Sequence, residues 1–159
     1  MIKKIGLFFL CFPLVMFVIE TLFFIIGWHV NCFAFIFAFI LVIGYILRNT
    51  SKKIRLKSIC WFVGITLASI FIGANVYDAS YDGQWYHSSI IKLMNDGWNP
   101  FYHPILQQDE VPYYTNTHIW VSHYAKGMET IEAGIVALTG NLESGKTLNI
   151  FLAISLFCF

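Results

Sequence analysis

The strongest constraint on this chain is a run of apolar residues over 5–27, interrupted chiefly by Pro13 and Glu20. A bilayer core is crossed by roughly 20 such residues in a helix, so the run is long enough to span. Lys3 and Lys4 precede it, as they would a signal peptide. The run is too long for a signal core, however, and lacks a small-residue cleavage site, so it reads as a retained anchor. A second run over 28–47 follows almost without a loop, and a third covers 58–76. Composition agrees: 58% of the 159 residues are hydrophobic and 12% are charged. An ordinary soluble domain carries about 25% charged residues. So little charge cannot coat a globule of this size, which disfavours a soluble enzyme, a disordered segment and a nucleic-acid binder.

The charges are sorted. Seven of the ten basic residues (Lys3, Lys4, Arg48, Lys52, Lys53, Arg55, Lys57) lie in the first 57 positions, whereas eight of the nine acids lie from Asp78 onward. Basic residues flanking spans mark the cytoplasmic side. Both the N-terminus and the basic loop 48–57 are therefore expected in the cytoplasm, with two spans between them. It follows that residues 77–130 are expected outside it, as one long polar loop. Within that loop 83–95 reads as an amphipathic helix resting on the outer leaflet, with Tyr86, Ile90, Leu93 and Met94 on one face. Gly97 is its expected left-handed stop, and Pro100 bars continuation. The four cysteines all fall in apolar stretches without CxxC spacing and read as small buried hydrophobes.

Beyond the loop, 130–139 is apolar but too short to cross. Extended back through 119–125 it reads as a helix that dips into the membrane. The last run, 148–159, is apolar on all sides and also short of a span. The expectation is an N-terminal piece of a longer membrane protein, ending within a transmembrane helix.

Two motifs carry possible chemistry. Gly140-Asn-Leu-Glu-Ser-Gly145-Lys146-Thr147 matches the GxxxxGK[ST] pattern of a phosphate-binding loop. That loop works between a buried parallel strand and a soluble crossover helix. Ile135 to Leu138 could pass for the strand, but the apolar run after Thr147 cannot be the helix. The segment is read as a Gly/Ser turn between membrane helices and no nucleotide is expected. Lys146 argues for a cytoplasmic turn if 119–139 crosses, and a dipping helix leaves the turn outside.

The second motif is Asp78-Ala-Ser-Tyr-Asp82-Gly83-Gln-Trp85-Tyr86-His87, directly after the third span. Two carboxylates four residues apart, close to low-dielectric lipid, can deprotonate an acceptor hydroxyl or help hold a divalent cation beside a phosphate leaving group. In the bland reading Asp82 caps the helix and Asp78 is solvated.

Together with Asp96-Gly-Trp-Asn-Pro100-Phe-Tyr and His123-Tyr-Ala-Lys126-Gly127, this segment resembles the N-terminal part of bacterial GT-C glycosyltransferases, the protein mannosyltransferase and aminoarabinose transferase group. The resemblance covers about residues 60–150. It implies an all-α polytopic transmembrane bundle with interfacial helices in a long external loop. It also implies a polyprenyl-phosphate-linked sugar donor and transfer on the outer face of a bacterial inner membrane. By that resemblance Asp82 and Asp78 are the catalytic carboxylates, and the metal contacts if a divalent ion takes part. Tyr86 and His87 belong to the same substrate-binding stretch, and Lys126 and His123 are expected to meet the donor phosphate. The alternative is a non-enzymatic polytopic membrane protein, a transporter or assembly subunit. Glu20, an ionisable group inside a span, carries either a functional or a packing role. The histidines of the loop have no zinc-site spacing.

Overall fold

The computed structural model describes residues 2–111 and 117–158. The 112–116 part of the polar loop and Phe159 of the last apolar run lie outside the described residues. Seven α-helices and three short helical turns account for the regular structure, with no strand among the described residues.

Helix α1 (Ile2–Ile25) and helix α3 (Lys52–Asn75), each of 24 residues, are long and apolar enough to cross a membrane. Only 44% of the most apolar stretch of α1 and 28% of that of α3 is buried. The core helix of a soluble protein would be mostly covered. Here Leu14, Val18, Leu22, Leu67, Phe71 and Ile72 are each more than half exposed. An apolar surface of this extent is costly to leave in water. Helix α2 (Phe33–Asn49) is 17 residues, about 25 Å at 1.5 Å per residue. It begins five residues later than the apolar run at 28, because residues 26–32 form the turn that reverses the chain. At the other end, the basic stretch expected as loop 48–57 is mostly helix. Lys and Arg are good helix formers, so α3 starts at Lys52, and only Thr50 and Ser51 separate it from α2.

Phenylalanine fills the bundle core. Phe8, Phe9 and Phe12 of α1 and Phe62 of α3 are buried together with Phe35 of α2 and Phe151 of α7 (Thr147–Cys158). The α1 and α2 helices run antiparallel, pinned by Lys4 Nζ donating to the Asn49 carbonyl at 3.3 Å. The tight 50–51 turn reverses the chain again, so α1 and α3 end on the same side. Glu20 is fully buried between α1 and α6 (Gly127–Thr139). Neither of its carboxylate oxygens makes a hydrogen bond of normal geometry among the described residues. Gly134 is what makes room for it: a Cβ there would stand 2.9 Å from Glu20 Oε1. None of the four cysteines is in a disulfide, and Cys60 is exposed on α3 rather than buried.

A second core caps that common end. It joins Tyr86, Ile90, Ile91 and Met94 to Trp98, Leu106, Val121, Ala133 and Val136. The apolar face of the 83–95 segment is therefore covered by α6, not laid on a leaflet as its pattern alone suggested. Its first turn, Gly83–His87, is π-helical, and α4 (Ser88–Asn95) continues it. Gly97, at φ +107°, closes α4 with Trp98 N–H donating to the Leu93 carbonyl at 2.9 Å. The 96–102 motif then ties the cap to α1. Asn99 Nδ2 donates to the Phe24 and Trp28 carbonyls at 3.0 and 2.9 Å, and the Tyr102 hydroxyl donates to the Ile25 carbonyl at 2.6 Å. These bonds satisfy carbonyls that a helix C-terminus leaves open. The short helix α5 (Thr117–His123) packs against the π-helical turn.

Helix α6, at 13 residues, is too short to span, so the chain stays at the capped end. Gly140, left-handed at φ +69°, terminates it, and a 3₁₀ turn, Leu142–Lys146, leads into α7. This turn is fastened to the end of α3. Asn141 Nδ2 donates to the Ala74 carbonyl at 3.1 Å, and Lys146 Nζ donates to the Val76 carbonyl. The residues before Gly140 are helix, with Ile135 and Val136 buried against neighbouring helices, but the helix expected over 119–139 is broken into α5 and α6 between His123 and Gly127.

Candidate functional site

A cleft of approximately 660 Å³ opens at the capped end, between the 77–88 segment, α6 and the 3₁₀ turn. Its walls carry Asp78, Asp82, His87, Glu132, Glu143 and Lys146. Four carboxylates thus face one histidine and one lysine.

Asp78 is fixed by its own loop. Its Oδ1 accepts the Ser80 N–H at 2.9 Å, its N–H donates to Glu143 Oε2 at 3.1 Å, and its carbonyl accepts Gln84 Nε2 at 2.6 Å. The Ser80 backbone N–H and hydroxyl, with Lys146 and His87 further off, hold its carboxyl below the usual aspartate value. Gly83 allows this arrangement, because a Cβ there would overlap the Asp78 carboxylate and the Ser80 hydroxyl. Asp82 is exposed at the rim and makes no cap bond to the helix it precedes. Opposite, Glu143 and Lys146 pair across one 3₁₀ turn. The same loop that matches a phosphate-binding pattern is therefore a strap: its lysine is engaged by the end of α3 and by its own glutamate.

Glu132 projects from α6 into the same cleft. Burial, reinforced by the charges of Glu129 and Asp78, pushes its carboxyl up to about 8. One turn earlier, Glu129 is 2% exposed, and its Oε1 lies 2.5 Å from Nδ1 of His87. The cleft therefore holds carboxylates of opposite protonation at neutral pH, an anion at Asp78 and an acid at Glu132.

This difference has a consequence for stability. An unfolded Glu132 ionises above about 4.5, whereas the folded one keeps its proton to about 8. Between those values the native state binds more protons, so its stability falls as pH rises. The loss is complete above about 8 and absent below 4.5. Thermal unfolding in detergent at pH 5 and pH 8.5 is expected to show a pH-dependent loss on the order of a few kcal/mol, which Glu132→Gln makes smaller. An unchanged pH profile in that variant would refute the assignment.

Of the residues singled out from sequence, the cleft unites Asp78, Asp82 and His87. Tyr86 turns inward, buried against Trp120 and Tyr124 in the cap core. His123 is exposed at the end of α5, away from the cleft. Lys126 borders a different groove, with Phe17, Thr21, Phe24 and Phe101. It donates to the Ser122 and Tyr124 carbonyls at 3.0 and 2.8 Å, and its ammonium lies 5.6 Å from the centre of the Trp98 ring. Glu132, Glu143 and Lys146 were not expected in the site. A signal existed for the first: Glu129 and Glu132 are spaced i, i+3 and so share a helix face. Among the described residues, no three His, Cys, Asp or Glu side chains are arranged to hold a metal ion.

No protein-family model, no curated protein and no solved structure matches this chain.

Proposed function

We propose that the chain is part of a membrane glycosyltransferase of the GT-C type, moving a sugar from a polyprenyl-phosphate donor to an acceptor held in this cleft. The carrying observation is that Asp78 and Asp82, the loop carboxylates of the resemblance, line one cleft at the end of a helical bundle in which two helices are long and apolar enough to cross a membrane. On this reading α1, α2 and α3 are spans, and the sorted cations put the N-terminus and the α2–α3 turn in the cytoplasm. The cleft then opens on the outer face of a bacterial inner membrane. Helix α6 dips without crossing, which keeps the 140–147 strap on the cleft side. Asp78, already ionised and fixed, and Asp82, free at the rim, contact the substrate hydroxyls. A divalent cation, if the transfer uses one, would be met by the same two carboxylates.

The test is transfer from a labelled polyprenyl-phosphate sugar by the full-length protein in lipid vesicles. Asp82→Asn and Asp78→Asn are each expected to lower the rate by about 100-fold or more, with insertion and folding intact. Wild-type rates in both variants would overturn the reading.

The buried Glu20 favours one other interpretation, a transporter or assembly subunit whose loop acids only shape an interface. It predicts tolerance at Asp78 and Asp82 and a phenotype at Glu20.

A further inference from the structure

We propose that His87 and Glu129 form a proton-accepting dyad in the cleft: Glu129 holds Nδ1 of His87, and Nε2 takes the proton from the acceptor hydroxyl. This rests on the glycosyl-transfer reading and deepens it by assigning the proton step to His87, with Asp78 and Asp82 left as the substrate contacts.

Geometry carries the assignment. His87 lines the cleft, and its Nδ1 is 2.5 Å from Glu129 Oε1. Among the described residues no group hydrogen-bonds Nε2. A carboxylate accepting at Nδ1 fixes the tautomer that leaves Nε2 a bare acceptor, and it stabilises the imidazolium that forms. The ring is further constrained by Tyr86, whose ring centre lies 4.2 Å away. His87 is also the last residue of the π-helical turn, a local rewinding often found where a side chain must be aimed at a site. Glu129 is buried and its Oε2 has no hydrogen-bond partner among the described residues. A half-satisfied buried carboxylate costs free energy, which a purely structural tie between the turn and α6 does not require.

The other cleft groups are engaged or, at Asp82, without an orienting partner. Asp78 accepts from Ser80, and Glu143 is engaged by Lys146 and by the Asp78 N–H. Glu132 keeps its own proton to about 8, so it is no acceptor at neutral pH. Asp82 stands exposed at the rim with no orienting cap bond.

In the reaction the acceptor O–H bond breaks, its proton passes to Nε2, and the oxygen's electron pair forms the new bond to the anomeric carbon. The bond from that carbon to the phosphate oxygen breaks, and its electron pair leaves with the lipid phosphate. The imidazolium then releases its proton to water at the cleft mouth, which restores neutral His87.

Two measurements on the full-length protein in lipid test this. In solid-state ¹⁵N spectra of histidine-labelled protein, with His87→Gln providing the assignment, neutral His87 is expected as the Nδ1–H tautomer. Glu129→Leu, which leaves nothing to accept from Nδ1, is expected to abolish that preference. An Nε2–H tautomer in the wild type would overturn the dyad whatever the activity. In the sugar-transfer assay, His87→Gln and Glu129→Leu are each expected to lower kcat by about 10²- to 10⁴-fold with KM nearly unchanged. Wild-type kcat in His87→Gln, alongside lost transfer in Asp82→Asn, would sink the dyad and leave the transferase reading standing. Absence of transfer by the wild-type protein would instead sink the transferase reading, and the hydroxyl-activating role with it.

Discussion

Phe12→Ala is expected to destabilise the bundle by about 3–5 kcal/mol, the usual cost of emptying a buried aromatic site. The Phe12 side chain is fully buried. Its ring centre lies 5.0 Å from Phe35, 6.0 Å from Phe39, 5.7 Å from Phe62 and 5.6 Å from Phe151, so a single ring joins α1 to α2, α3 and α7. Edge-to-face aromatic pairs contribute beyond buried area, at about 0.5–1.5 kcal/mol each. Within a bilayer, helices gain little from leaving lipid for one another, so close packing of this kind supplies most of their association. Phe71→Ala provides the control. Phe71 is 70% exposed on α3, and its loss is expected to cost less than about 0.5 kcal/mol. Thermal or denaturant unfolding in detergent reads both. Equal effects at the two positions would mean that the four helices do not meet at Phe12.

The second large effect is expected on activity and not on stability. In Gly83→Ala the new methyl group overlaps the Asp78 carboxylate and the Ser80 hydroxyl. Both obstructing atoms are far ends of side chains, so the backbone can persist while Asp78 swings away and gives up the Ser80 N–H. The fold should lose no more than about 1 kcal/mol, a typical figure for a point substitution outside a packed core. On the glycosyl-transfer reading, transfer should fall as far as in Asp78→Asn, by about 100-fold, the scale of a misplaced substrate contact. Comparing the melting temperature with the transfer rate separates the two. Full activity in Gly83→Ala would show that the observed Asp78 position does not matter for function.

Much of the local structure was legible because local rules govern it. Apolar runs of span length, the stop at Gly97 and the break before α3 follow from solvent preference, backbone freedom and helix propensity. That Asp78 and Asp82 border one cleft was legible for the same reason, since they are four residues apart. Glu132, Glu143 and Lys146 escaped because they lie far along the chain from both aspartates, and the Glu129–Glu132 spacing marks a shared helix face without saying what that face meets. The 140–147 stretch was read as a turn, but what the turn is fastened to was not legible. Its letters advertise a phosphate loop, but the Asn141 bond to Ala74 and the Lys146 bond to Val76 make it a strap. Tyr86 shows the converse error. Its position beside His87 suggested a substrate contact, yet one step around the helix turns it from the cleft into the cap core.

Sequence alone therefore determined which segments are apolar enough to cross a membrane and where the charges gather, because each depends on composition and short-range geometry. Tertiary structure decided which residues share a site. The small surface of Gly73 lets Thr147 approach α3, and the α6 helix is too short to leave the end of the bundle where it starts. These two steric facts bring the strap, Glu132 and the His87–Glu129 pair around Asp78, and no local pattern encodes them.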